Sequence, residues 1–141
     1  MTERVFLDTN VVVYAFDGAD ASKAKRRRAL EVLADDEREL RVSAQVLGEF
    51  FVTVTRKLAR PLSFGEAAAA VAELSSFAPV PTDAELIATA IETSHRAQLS
   101  YWDALIVEAA ARARCSVLLT EDLNDGAVIG GVRIENPFRD L

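Results

Sequence analysis

Asp8 follows the apolar run Val5-Phe6-Leu7, and Asp122 closes a second one, Val117-Leu118-Leu119-Thr120-Glu121-Asp122. Both runs suit short buried strands, and in open α/β sheets ligands bind beyond the carboxyl ends of strands. If the two strands are parallel neighbours, both carboxylates hang over one rim. For either aspartate alone, a helix N-cap or turn role is the commoner one; the pair shifts the balance towards chemistry. Asp103 lies three residues after Ser100, so Ser100-x-x-Asp103 reads as a variant capping box ahead of an apolar helix. The first turn of such a helix opens on the same rim, so capping and metal binding are compatible. Trp102 beside it either walls the site or packs in the core, and the core is the commoner place for such a residue.

Glu49 is harder to place. Its helix carries Leu47, Phe50, Phe51, Val54 and Leu58 on one face, and Glu49 falls opposite, near Gln45 and Arg56. An open cleft and bulk solvent satisfy that position equally, so periodicity leaves both readings standing.

Together these are all-oxygen donors, the set a hard cation such as Mg²⁺ or Mn²⁺ prefers. His95, the only histidine, sits in a charged helical stretch, and Cys115 is the only cysteine. A His-rich zinc site, a histidine relay and a serine-hydrolase triad therefore have no materials. No Gly-rich phosphate loop of the nucleotide-hydrolase kind occurs.

The elements that must position these acids alternate along the chain. Strands are expected at Val5–Leu7, Leu40–Val42, Ala78–Pro81 (an edge strand, given its prolines), Val117–Leu119 and Val132–Ile134. Helices are expected over Val11–Phe16, from an N-cap at Ser22 to near Asp36, and from Ser43 to a stop at Arg60-Pro61. Three more run from Ser63 to Ser76, from Asp83 to about Arg96, and from Ser100 to Arg114. This order predicts an α/β fold with a mostly parallel central sheet covered by helices.

Half of the 141 residues are apolar, which predicts one domain over residues 1–141 with its own core. The opening residues lack the basic start and long apolar stretch of a signal peptide, and no segment approaches the ~18 apolar residues of a membrane span. A cytoplasmic protein with a free, buried Cys115 thiol is the resulting expectation. The net charge of −6 is unusual for a nucleic-acid binder. Metal ions would offset carboxylates at such a site, and Lys23, Lys25, Arg26, Arg27 and Arg28 concentrate positive charge in one short segment. That segment is either a solvated helix face or a guide for RNA.

Phe6-Leu7-Asp8-Thr9-Asn10, Gln45-Val46-Leu47-Gly48-Glu49-Phe50, Tyr101-Trp102-Asp103-Ala104-Leu105-Ile106-Val107 and Leu119-Thr120-Glu121-Asp122-Leu123 together resemble the PIN domain. More narrowly, with the closing Asn136-Pro137-Phe138, they resemble the VapC-type toxins of bacterial toxin–antitoxin pairs. The match spans essentially the whole chain, and its strength lies in the ordered set of motifs. The resemblance implies a three-layer α/β/α fold and assigns metal-site roles to Asp8, Glu49, Asp103 and Asp122. Asn10 and Thr120 match polar positions that hold the pocket together, while Asp125 is a nearby acid outside the pattern. It further implies a Mg²⁺-dependent endoribonuclease (Mn²⁺ substituting), an RNA substrate, a small antitoxin protein as partner and a homodimer. A solitary RNA-processing nuclease or a catalytically silent binding module of the same fold are the alternatives. A phosphatase with Asp8 as nucleophile would carry a second acid two positions on, where this chain has Asn10.

Overall fold

Val5, Phe6 and Leu7 have no exposed surface, so the first strand lies inside the protein with both faces covered. The computed structural model describes residues 2–141. In chain order they form β1 (Glu3–Leu7), α1 (Thr9–Tyr14), α2 (Lys23–Leu33), β2 (Arg38–Arg41), α3 (Ala44–Arg56), α4 (Phe64–Leu74), α5 (Ala84–Ala97) and α6 (Tyr101–Arg112). Three strands follow: β3 (Val117–Leu119), β4 (Val128–Ile129) and β5 (Val132–Glu135). The sheet order is β2-β1-β3-β5-β4. All pairings are parallel except that of β4 with β5. Continuous apolar strands such as β1 and β3 require cover on both sides, and the helices supply it as a three-layer α/β/α arrangement. No helix among the described residues is long and apolar enough to cross a membrane.

Helix starts follow local chemistry. Ser43, Ser63, Asp83 and Ser100 each accept a backbone N–H from the first turn of the helix they precede. Ser63 and Glu66 complete a reciprocal capping box. At Ser100 the hydroxyl accepts the Asp103 N–H at 3.1 Å, but among the described residues the Asp103 carboxylate does not return the bond. It is left for the cleft. Helix α1 forms despite three successive valines because Val11, Val12 and Val13 are all buried, so packing outweighs propensity.

The structure corrects several expectations. Ala78–Pro81 is not a strand: only Val80 pairs, as an isolated bridge to Ser43. Its N–H bonds to Val42 and its carbonyl to Ala44, while Pro79 and Pro81 on either side have no N–H with which to extend the ladder. The fifth strand is instead β4, joined to β5 by Gly130 and Gly131. Both glycines have positive φ (58° and 81°), as a tight two-residue hairpin turn demands. Ser22 does not cap α2, because its hydroxyl bonds to Asp17 instead. Helix α3 ends at Arg56, before Pro61 is reached; the Leu62 N–H takes the Val54 carbonyl and closes the helix end.

Candidate active site

Strands β1 and β3 are parallel neighbours with Leu7 opposite Leu119, and the Asp8 N–H bonds to the Leu119 carbonyl at 3.0 Å. Asp8 and Thr120 thus leave the sheet together at its carboxyl edge. The Asp8 carboxylate caps α1 by accepting the Thr9 N–H at 2.7 Å, and it accepts the Thr120 hydroxyl at 2.8 Å. Asp8 is only 7% exposed. Burial raises its pKa to about 6; hydrogen bonds from Thr120 and Thr9 oppose the rise, and the charges of Asp122 and Glu49 add to it.

Asn10 ties the two strand ends together. Its amide nitrogen donates to Asp122 at 3.0 Å and to the Thr120 hydroxyl at 3.2 Å, and its carbonyl oxygen accepts the Glu121 N–H. The Thr120 hydroxyl also accepts the Asp122 N–H, so Asp122 is aimed by the same network that holds Asp8. Glu49 enters from α3. Thr9 donates to its Oε1 at 2.9 Å, and Gln45, one turn earlier on the helix, donates to the same oxygen at 3.3 Å. Asp103 enters from the first turn of α6.

All four acids line one cavity of about 570 Å³, so the structure brings together the residues that sequence reasoning singled out. Trp102 is corrected from core to wall: it is 62% exposed and lines the same cavity. Its angular position on α6 is close to that of the buried Leu105 and Ile106, but in the first turn it overhangs the end of the core. Asp125 lies elsewhere. Its carboxylate accepts the Asn136 N–H and an Arg139 N–H, which hold its pKa below the usual range, so it secures the C-terminal segment. His95 is exposed in the last turn of α5. Cys115 is a buried free thiol whose pKa burial pushes to about 11, which makes it a poor nucleophile.

Sequence reasoning missed Thr9 and Gln45 as supports of Glu49, and Lys57 as a wall residue. Gln45 carried a signal, since it falls one helical turn before Glu49 on the polar side. It also missed a cluster beside the site, where Lys25 and Tyr14 both bond to Glu121, at 2.9 and 2.8 Å. The Lys25 ammonium also lies 4.9 Å from the centre of the Tyr14 ring. This cluster braces the residue between Thr120 and Asp122.

The donor set fits a hard divalent cation. Every candidate ligand is an oxygen, and a cation would offset both the burial that chiefly raises the Asp8 pKa and the smaller repulsion from Asp122 and Glu49. A buried acceptor at the wall, Gln45 Oε1, has no hydrogen-bond partner among the described residues. Among the described residues no three His, Cys, Asp or Glu side chains close into a ready-made cage. A partly hydrated ion held by one or two carboxylates matches such an open arrangement.

The PIN domain family model matches residues 5–124. In fold the chain is similar to a toxin–antitoxin complex from Klebsiella pneumoniae, with a TM-score of 0.70 and 20% identity over 95% of this chain and 98% of that one. It is also similar to VapBC2 of Rickettsia felis bound to a promoter DNA fragment, with a TM-score of 0.60 and 21% identity over 94% and 98% of the two chains. A third similar fold is Mycobacterium tuberculosis VapC20, a sarcin–ricin-loop-cleaving toxin, at a TM-score of 0.63 and 21% identity over 81% and 86%. No curated sequence is significantly similar to the chain. With most of its length matched by the family model, and with the parallel sheet and acidic cleft in place, the chain belongs to the PIN domain family.

Proposed function

We propose that this protein is a Mg²⁺-dependent endoribonuclease and the toxin of a toxin–antitoxin pair. The observation that carries the reading is the convergence of Asp8, Glu49, Asp103 and Asp122 on one open cleft at the carboxyl edge of parallel strands. Asp8 and Asp103 are the residues that would hold the ion, with Glu49 and Asp122 completing the site or orienting water. Bound Mg²⁺, or Mn²⁺ in its place, would supply positive charge to a phosphoryl oxygen.

The chain's own residues do the rest. Thr9 and Gln45 occupy Oε1 of Glu49, so its other oxygen can accept a hydrogen bond from the attacking water. Asn10 and Thr120 keep Asp8 and Asp122 at fixed separation despite their like charges. Water attack on phosphorus forms a new P–O bond and breaks the bond to the 3′ oxygen. The water's proton passes to a carboxylate or to solvent, and the leaving oxygen takes up a proton, giving a 5′-phosphate and a 3′-hydroxyl.

The partner reading rests on the company the fold keeps, since the similar structures include a toxin–antitoxin complex and VapBC2. With the family resemblance, this supports a small antitoxin that silences the enzyme; the homodimer is proposed on the resemblance alone. The test is RNA cleavage by the purified protein with Mg²⁺, compared with Asp8→Asn, followed by mapping of the new 5′ ends. Cleavage by the wild type alone, leaving 5′-phosphates, supports the reading. Equal cleavage by Asp8→Asn, or none by either, sinks it.

A further inference from the structure

Trp102 is the only tryptophan of the chain, and it stands largely in water beside Asp103. A solvated indole forgoes one of the larger apolar gains a side chain offers. Tyr101 packs on it edge to face, with ring centroids 4.9 Å apart and planes 72° apart, which steadies the indole without covering both of its faces. Ile106 and the half-exposed Val52 continue the apolar wall, and Lys57 is the one Lys or Arg among the residues lining this cavity.

Four acids against one lysine make this cavity a poor electrostatic trap for a polyanion. Within this cavity, affinity beyond what a metal and Lys57 provide must come from an uncharged contact, and a base stacked on an aromatic face is such a contact. We propose that Trp102 is a stacking platform for an unpaired nucleobase next to the scissile phosphate, with Lys57 receiving a neighbouring phosphate. A base inside a duplex is already stacked on its neighbours and has no face to offer, so Trp102 selects unpaired RNA. This inference rests on the ribonuclease reading.

Because the chain has a single tryptophan, its emission reports on this one position. Wild-type protein with Mg²⁺ is mixed in a stopped-flow instrument with a short unstructured oligoribonucleotide, and the emission is read before turnover. Quenching is expected with the unpaired oligomer, and neither with the same backbone lacking bases nor with a blunt duplex. In steady state Trp102→Ala should raise KM for the oligomer on the order of ten-fold with little change in kcat, and Trp102→Phe should restore most of it. If the wild type cleaves the oligomer without quenching, with equal response to the duplex, or with unchanged KM in Trp102→Ala, the stacking role is wrong and the nuclease reading stands. Emission that responds only to a co-expressed small protein partner assigns Trp102 to a protein interface and overturns the proposal. Absence of cleavage by the wild type removes the ribonuclease reading, and the stacking role goes with it.

Discussion

The Thr120 hydroxyl donates to the Asp8 carboxylate at 2.8 Å in the protein interior, from the residue that leaves β3 where Asp8 leaves β1. The same oxygen accepts hydrogen bonds from Asn10 and from the Asp122 N–H, so one buried hydroxyl serves both ends of the acidic cluster. Thr120→Val keeps the shape and deletes that oxygen. Stability should fall by about 1–3 kcal/mol in urea denaturation, because buried partners are left unpaired. The Asp8 pKa should rise further, so a pH–rate profile that requires ionised Asp8 should shift to higher pH. An unmoved acidic limb would show that Asp8 ionisation does not limit the rate.

Asp8 also makes the metal-free protein sensitive to pH. Its folded pKa of about 6 lies above the ordinary 3.8, so the folded state holds this proton more tightly than the unfolded chain. The group therefore costs nothing below about pH 4, and its penalty grows as pH rises to about 6, reaching on the order of 3 kcal/mol. In chelator, the Asp8 contribution should make the wild type less stable at about pH 7.5 than at about pH 5. Asp8→Asn should flatten this dependence and be the more stable protein at neutral pH. The gain should stay short of the full penalty, because the Thr9 N–H faces one Asp8 oxygen and the Asn10 amide nitrogen the other, so an Asn amide nitrogen in either position would meet a donor.

Mg²⁺ should reverse that ordering. A ligand bound only by the folded state stabilises by about 2.7 kcal/mol at a hundred times its dissociation constant. Thermal unfolding of the wild type should therefore move upward with added Mg²⁺, and Asp103→Asn should respond weakly or not at all. RNA cleavage should stop in excess chelator and return with Mg²⁺ or Mn²⁺; full activity in chelator would remove the metal from the mechanism.

The basic segment of α2 divides in two. Lys25 is tied to Glu121 and Tyr14, and Arg28 to Pro137 and Asp140, whereas Lys23, Arg26 and Arg27 line an open groove with Leu30. Lys25→Ala should loosen the loop carrying Asp122 and lower kcat while leaving the salt dependence of RNA binding in place. Arg27→Glu should do the reverse: weaker binding across sequences and a flatter slope of affinity against salt. A salt slope identical to wild type would mark α2 as an ordinary solvated face.

How far the sequence could be read depended on the range of the forces involved. Helix starts at Ser43, Ser63, Asp83 and Ser100 were legible because a cap acts within one turn. Strands β1 and β3 were legible because burial on both faces demands an unbroken apolar run. The pairing that brings Asp8 to Asp122 was only a condition, since no local pattern states which strands are neighbours. The two-residue β4 was too short to show alternation, and the prolines flanking Val80 imitated an edge strand. Within the site, Glu49 was undecidable from periodicity because a cleft and open water look alike from a helix. Trp102 misled because the angle around a helix says nothing about whether its first turn has passed the end of the core.

The strand order has a consequence for the timing of synthesis. β1 lies between β2 and β3, and its partner in β3 is more than a hundred residues away in sequence. A nascent chain can pair β1 with β2 early, but the other edge of β1 stays open until Val117–Leu119 emerge. At roughly 5–20 residues per second that interval is on the order of ten seconds. Throughout it Asp8 lacks Thr120, and Asp122 has not yet emerged. A chain growing on a ribosome, surrounded by the cell's densest store of RNA, therefore holds no assembled acidic cluster, and a terminated fragment that stops before β3 never acquires one.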